Sequence, residues 1–365
     1  MDMKIKMETM VRKMVKGFLL FYLFTFLPLN MFAQGYGLPL IEPFLQHREK
    51  MLADFDKKGK FKNEKEFFSN ENNLINAIAA TLTEVKDEST KRMLFDFATS
   101  PLNNLLIGAN KFVESKPAFA CELMDTYFAA LEAPMFAGSG LKANQDAYYV
   151  YATALQATKG DAQKMVACYQ KALETTHGPV ACQQLIALYK ASGDKDGERQ
   201  YRLYGHEHFP QYLHFGIGLT QQLINEQNYD EAIKYADILI KQVKDGKVDE
   251  LNQELNWYPH YLKASALFDA KKYDQAYDAF VEGDAAFPGH YDLIVNAGIA
   301  AITYADKHSD NPAVSMPWYQ KALNYLKQAE QSWPKQSSAW GRNLFTCYQA
   351  LGDMKSATKY RKYVK

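Results

Sequence analysis

The chain has 365 residues, with 42 basic side chains against 42 acidic ones and a net charge of zero at neutral pH. That balance leaves no net field to recruit nucleic acid or an anionic membrane surface. The 14% aromatic content, carried by 24 Tyr and 22 Phe, suits large side chains wedged between packed helices, and the length suffices for one core or for an elongated stack of local cores.

At the N-terminus, Lys4, Lys6, Arg12, Lys13 and Lys16 precede an apolar run from Phe18 to Leu29, and Met31-Phe32-Ala33 leads into Gln34. A basic region, a short greasy core and a small residue before a cut read as a secretory signal peptide over residues 1–33, cleaved after Ala33. The apolar core, broken by Pro28 and followed by Asn30, is shorter than the roughly 20 residues a helical span requires. No stable membrane span is therefore expected after cleavage, an uncleaved anchor being the alternative. Met14 is a second possible start. The Phe-Ala-Gln junction resembles exported proteins of the Bacteroidota type, which implies a periplasmic location, and no cysteine follows the cut to carry a lipid anchor.

Residues 34–145 form the next segment. Pro39 and Pro43 open it, and Phe44, Leu45, Met51, Leu52 and Phe55 then follow at helical spacing. Leu74, Ile75, Ile78, Ala79, Leu82 and Val85 again fit one face of a helix. Ser100-Pro101 reads as a helix start, because proline is tolerated in a first turn. Lys116-Pro117 opens another helix, running to about Glu132. Pro134, Gly138, Ser139 and Gly140 mark a loop and a boundary. Four or five helices are expected here.

From residue 146 to 365 the sequence repeats at intervals of about 34 residues. Six units start near Asp146, Pro179, Leu213, Trp257, Tyr291 and Ser338. Their marks include the turns Gly160-Asp161, Gly193-Asp194, Asn228-Tyr229 and Gly352-Asp353, and the second-helix sets Tyr169, Ala172, Leu173 and Tyr273, Ala276, Phe280, Pro288. Insertions near Gly246–Asn256 and Ala305–Met316 interrupt the period. The second is polar and holds Asn311-Pro312 and Pro317, so it is expected to loop out. Insertions in solenoids sit either on a working face or wherever added length is cheap.

These residues resemble the tetratricopeptide repeat family, most clearly at Gly-Asp turns and at Tyr-Gln-Lys-Ala-Leu over 169–173. The resemblance spans some three fifths of the chain. It implies an all-α fold, an α-α solenoid of about six helix pairs, with residues 34–145 as a helical N-terminal cap that covers the apolar end of the array. Departures from the pattern are Met165 and Glu198 where a second-helix alanine is expected, and Gly283 where alanine is usual.

Members of that family commonly hold an extended peptide or a partner helix in a groove lined by the first helix of each pair. Carried over by position, the groove comprises Tyr151, Gln183, Gln184, Lys190, His214, Gln221, Asn225, Tyr258, Tyr261, Asn296, Arg342, Asn343 and Gln349. Amide and tyrosine side chains bond backbone groups, and tyrosine adds a stacking face. Each is also readable as a solvated helix position, since surface residues outnumber binding hot spots. A carboxylate clamp is not expected: Asn296 and Asn343 match its asparagine position, but the matching lysine and arginine are absent and Arg342 falls one position off.

No catalytic or cofactor pattern stands out. His206, Glu207, His208 and His214 look like a metal cluster, yet helical ligands that share a face fall three or four apart, and His206 and His208 are two apart. Gly138-Ser139-Gly140 lacks nucleophile-elbow spacing, and no phosphate loop occurs. Cys168 and Cys182 could meet as a disulfide if their Cα atoms lie within about 7 Å; otherwise the four cysteines act as small buried apolar groups. The expectation is a non-catalytic periplasmic scaffold for a protein or peptide partner of the cell envelope, without metal or cofactor. A binder of a carbohydrate or other small polar ligand is the alternative, with Trp257, Trp318, Trp333 and Trp340 as its reporters.

Overall fold

The computed structural model describes residues 38–58 and 61–364, so the expected signal segment lies outside the described residues. Among the described residues there are sixteen α-helices, three short 3-10 turns and no strand. They fall into two compact units that divide between Leu188 and Tyr189. The boundary expected after residue 145 falls inside the first of them.

The first four helices are α1 (Glu42–Lys58), α2 (Glu64–Glu84), α3 (Glu88–Phe112) and α4 (Pro117–Glu132). The Asn63 side chain accepts from the Glu66 N–H and starts α2, and Asp87 accepts from the Thr90 N–H at 2.7 Å to start α3. Each such cap is worth about 1 kcal/mol. Leu74, Ile75, Ile78 and Leu82 are buried along one face of α2, as their spacing predicts.

Ser100-Pro101 does not start a helix. Pro101 lies inside α3 and is buried there. A proline in a helix interior lacks an N–H for the ladder and costs about 3 kcal/mol. Burial offsets it: Leu94 and Ala98 before the proline and Leu102 and Leu105 after it are all buried, and each enclosed leucine is worth about 1.5–3 kcal/mol.

A buried polar group joins α1, α2 and α3. The Arg48 Nε lies 3.1 Å from the Glu71 carboxylate, its Nη2 donates to Ser100 Oγ at 2.6 Å, and Asn104 Nδ2 donates to Glu71 at 2.7 Å. Glu71 is fully buried. Desolvation pushes its carboxyl above the usual range, while Arg48, Asn104 and Asn70 pull the other way.

The repeat supplies α5 (Gln145–Thr158), α6 (Ala162–Ala172), α7 (Gly178–Ser192), α8 (Lys195–His208), α9 (Leu213–Asn225), α10 (Tyr229–Lys244), α11 (Tyr258–Asp269), α12 (Tyr273–Ala286), α13 (Tyr291–Lys307), α14 (Pro312–Ser332), α15 (Ser337–Ala350) and α16 (Met354–Tyr360). These are twelve helices where six pairs were expected. In the first four pairs the turn between the helices is set by one left-handed residue. Lys159, Gly193 and Gln227 have positive φ and fall 34 residues apart, and Lys271 follows after 44, the excess matching the first insertion. Only Gly193 adopts that conformation without a Cβ penalty. Asp161, Asp194 and Asp353 then cap the second helices with their side chains.

In the second unit, small residues mark where the helices meet. Ala264, Ala276, Ala297, Ala322 and Ala329 are completely enclosed. Aromatic rings fill the space alongside: Tyr277 meets Trp318 at 5.2 Å and Tyr325 at 5.9 Å, both edge-to-face, a geometry worth about 0.5–1.5 kcal/mol beyond area.

The second insertion does not loop out. α13 continues to Lys307 and α14 begins at Pro312, leaving only a short turn. Pro312 occupies the first turn of α14, where its missing N–H has no partner to lose. The first insertion holds a 3-10 turn over Glu250–Leu255, and Val248 and Leu255 pack against Leu213, Ile217, Leu239 and Leu262. No disulfide joins Cys168 to Cys182. Both are buried thiols, and burial pushes Cys168 up to about 11.

The Arg48–Glu71 pair gives a stability test. Removing one partner of a buried ion pair strands the other, at about 3–5 kcal/mol, whereas replacing both with apolar groups is often near neutral. Glu71→Leu is therefore expected to lower urea stability by that amount, and Arg48→Met/Glu71→Leu to recover most of it. Additive losses in the double variant would contradict the pairing.

Candidate functional site

The first helices α9, α11 and α13 of three consecutive pairs line a cleft of about 480 Å³ in the second unit. Helical spacing explains which side chains reach it. On α9, Leu219 and Leu223 turn into the core, while Gln221 and Asn225, four apart, share the outer face. On α11, Tyr258, Tyr261, Ser265 and Asp269 form a stripe at intervals of three and four, with Phe268 beside it. On α13, Asn296 and Ile299 recur three apart. All of these except Leu219 and Leu223 line the cleft, together with Ile224, Leu262 and Phe280.

The cleft therefore joins an apolar floor to a polar wall of three amides, two phenols and a serine hydroxyl. Gln221 Nε2 donates to the Tyr258 hydroxyl at 2.8 Å, linking α9 to α11. The Tyr258 and Tyr261 rings are stacked, 5.5 Å apart and 8° from parallel. Trp257 meets both edge-on, at 5.2 and 5.9 Å, and Tyr261 also leans on Phe280 at 6.0 Å. Burial raises the Tyr258 phenol, the Gln221 bond opposes this, and Tyr261 and Asp292 add to it. Asn296 spends one N–H on the Asp292 carbonyl at 2.7 Å, which leaves its other N–H and its oxygen for a ligand. Asp269 is the single carboxylate among the lining residues, and no lysine or arginine is among them.

A second cleft of about 320 Å³ adjoins the first and shares Gln221 and Asn225 with it. Lys190, Lys195, Glu198, Arg202, Gln222 and Glu226 line it. Arg202 holds Glu198 through Nη2 at 2.6 Å and Nε at 3.0 Å. Arg199 pairs with Glu226. The guanidinium of Arg202 lies directly over Gly218, in space that any Cβ would occupy.

Of the thirteen residues assigned by position, Gln221, Asn225, Tyr258, Tyr261 and Asn296 come together in the first cleft, and Lys190 joins the second. The others do not. Tyr151 is buried, stacked 5.4 Å from Phe128, with its hydroxyl donated to Asp125. Position on a first helix did not reveal that α4 covers that side. Burial first, then the Asp125 bond, pushes its phenol up to about 12. On α7, Gln183 is exposed and half-buried Gln184 accepts from Gln156 Nε2 at 3.0 Å. Arg342, Asn343 and Gln349 sit on α15 and line neither cleft, and Asn343 Nδ2 donates to Ala339 O at 2.9 Å. His214 packs 4.1 Å from Phe215 in the first turn of α9.

Sequence reasoning missed Ser265, Phe268, Asp269 and Ile299 as lining residues. The first three follow from Tyr258 and Tyr261 at helical intervals, so the signal was present. Phe280 enters the sequence reading only as a mark of a second helix.

The pattern of elements defines the class: an all-helical array of tetratricopeptide-like helix pairs behind a helical N-terminal segment. No family model matches the sequence, and no curated protein matches it. Solved structures with similar form include a tetratricopeptide repeat-containing protein of Cytophaga hutchinsonii, at 12% identity and TM-score 0.46, covering 71% of this chain and 93% of that one. The MamA protein is similar at 16% identity and TM-score 0.39, over 52% and 91% of the two chains. A tetratricopeptide repeat protein of Parabacteroides merdae is similar at 15% identity and TM-score 0.30, over 88% and 99%. No helix among the described residues is long and apolar enough to cross a membrane.

Buried histidines make the second unit sensitive to acid. His206 is buried against Tyr235, whereas His208 stacks on Tyr204 at 3.9 Å. Burial lowers the imidazoles of His206, His214 and His260, with Arg202 adding to the effect at His214. His214 Nε2 and His260 Nδ1 are buried without a hydrogen-bond partner, an arrangement tolerable for a neutral ring and costly for a charged one. With the folded value below the unfolded one near 6.5, the unfolded state binds more protons in acid. Stability is then complete above about 6.5 and falls as pH drops from there toward the folded values. Urea midpoints measured from pH 8 to 5 should be level at first and decline below about 6.5. His260→Leu should flatten that decline; an unchanged slope would contradict the assignment.

Proposed function

We propose that the chain is a non-catalytic scaffold that holds an extended segment of a partner protein against α9, α11 and α13. The observation that carries this reading is the gathering of Gln221, Asn225, Tyr258, Tyr261 and Asn296 around one cleft with an apolar floor. Amides aimed from neighbouring helices can bond both the N–H and the C=O of an extended backbone, and stacked phenols add contact area at little entropic cost. A lone carboxylate, Asp269, without a paired acid or base among the lining residues supports binding rather than chemistry. The alternative of a carbohydrate is less supported, because none of the four tryptophans lines the cleft. The N-terminal signal pattern supports export, with a partner in the cell envelope.

The experiment is a crosslinked pull-down from envelope extract with the wild-type chain beside Tyr258→Ala/Tyr261→Ala/Asn296→Ala. Because Tyr261 also packs on Phe280, Asn225→Ala/Asn296→Ala serves as a second variant that removes only amides. A partner captured by the wild type should fall at least tenfold with the triple variant, about 1.4 kcal/mol, and less with the amide pair, helicity being unchanged. Equal capture by all three would move recognition away from the cleft.

A further inference from the structure

The second cleft differs from the first in charge. Among its lining charges, Arg202 and Glu198 match each other, and Glu226 is matched by Arg199 from outside the lining. Lys190 and Lys195 are exposed and have no carboxylate partner among the described residues. Of the charges lining the two clefts, the unmatched ones are thus two ammonium groups in the second and the Asp269 carboxylate in the first. The clefts share Gln221 and Asn225, so anything extended along α9 past those amides meets both.

The arrangement around Arg202 is built rather than incidental. Glu198 stands where the repeat pattern expects a second-helix alanine, and it holds the guanidinium through two nitrogens. Gly218 leaves the space in which Arg202 lies. Neutralising Arg202 in this way keeps the floor of the second cleft from being a deep cationic hole, and leaves the positive charge at the mouth, on flexible lysines. Gln222, beside them, has a buried carbonyl oxygen without a partner. Flexible lysines recognise carboxylates as point charges, without the fork geometry that an arginine would impose.

We infer that the two clefts form one groove that selects an extended segment of a partner protein by its charge order. Acidic side chains lie toward Lys190 and Lys195, and an uncharged stretch with an aromatic residue lies over Tyr258 and Tyr261. This rests on the protein-binding reading above and adds the chemistry of the partner. Asp269 enforces the order by repelling an acidic segment laid the opposite way, and by disfavouring acidic residues at both ends. Exposed pairs of this kind act mainly through encounter and orientation, and they weaken as salt screens them.

The test uses a displayed library of short random peptides with blocked ends, selected on the wild-type chain, on Lys190→Glu/Lys195→Glu and on Tyr258→Ala/Tyr261→Ala/Asn296→Ala. On wild type, clones with aspartate or glutamate to one side of an aromatic residue should be enriched, and raising NaCl should remove the acidic preference. A selected acidic peptide should bind the charge-reversed chain about tenfold more weakly, and selection on that variant should favour lysine and arginine instead. Both lysines are exposed, so folding should survive, with far-ultraviolet circular dichroism as the check. Enrichment without charge order, lost in the aromatic variant but unchanged by charge reversal, would overturn this inference and leave the binding reading standing. Enrichment no greater than on an unrelated helical protein would overturn both.

Discussion

The close approach of helices at enclosed alanines is the constraint on which the repeat region rests. Ala264 on α11, Ala276 on α12, Ala297 on α13 and Ala322 on α14 are wholly removed from solvent. A larger side chain at such a point would force the helices apart or push rotamers off their minima, at about 1–3 kcal/mol. With the crossing points this tight, bulky groups can sit only to the sides, and that is where Tyr277, Trp318 and Tyr325 form edge-to-face contacts. The same spacing makes α9, α11 and α13 neighbours on one side of the second unit. The cleft between them is therefore a product of packing, and its polar wall is the set of residues that the packing leaves outside.

Charge is distributed in three ways, with different consequences. Glu71 and Arg48 are sealed in the first unit, where they tie α1 to α2 and α3. Glu198 and Arg202 are mostly enclosed beside a cleft, each cancelling the other. Lys190 and Lys195 are exposed and unmatched. A fully desolvated pair contributes specificity of packing more than stability, whereas an unmatched surface cation contributes attraction toward whatever anion approaches. Zero net charge for the whole chain conceals this local asymmetry.

Much of the fold was legible in the sequence because its signals are local. The 34-residue interval is carried by turns whose left-handed residue and aspartate cap lie side by side, as at Gly193-Asp194. Helices α2 and α4 could be read from apolar spacing and from Lys116-Pro117. The misreadings came at prolines, one buried inside a helix and one tolerated in a first turn. Pro101 punctuates a sequence but not a helix whose leucines are enclosed on both sides, and Asn311-Pro312 begins α14 rather than a loop. The Arg48–Glu71–Asn104 group left no local trace, since its members stand on three different helices. For the cleft, first-helix position gave Gln221, Asn225, Tyr258, Tyr261 and Asn296. It could not give the face of α5, where Phe128 of α4 covers Tyr151, nor that α15 lies away from the cleft.

The most direct test of the cleft as the binding surface is amide hydrogen exchange on the chain with and without a captured partner or a selected peptide. Added protection should fall on Leu213–Asn225, Tyr258–Asp269 and Tyr291–Lys307, with little change in Glu42–Glu132. Protection confined to the N-terminal helices, or to Ser337–Tyr360, would contradict the account.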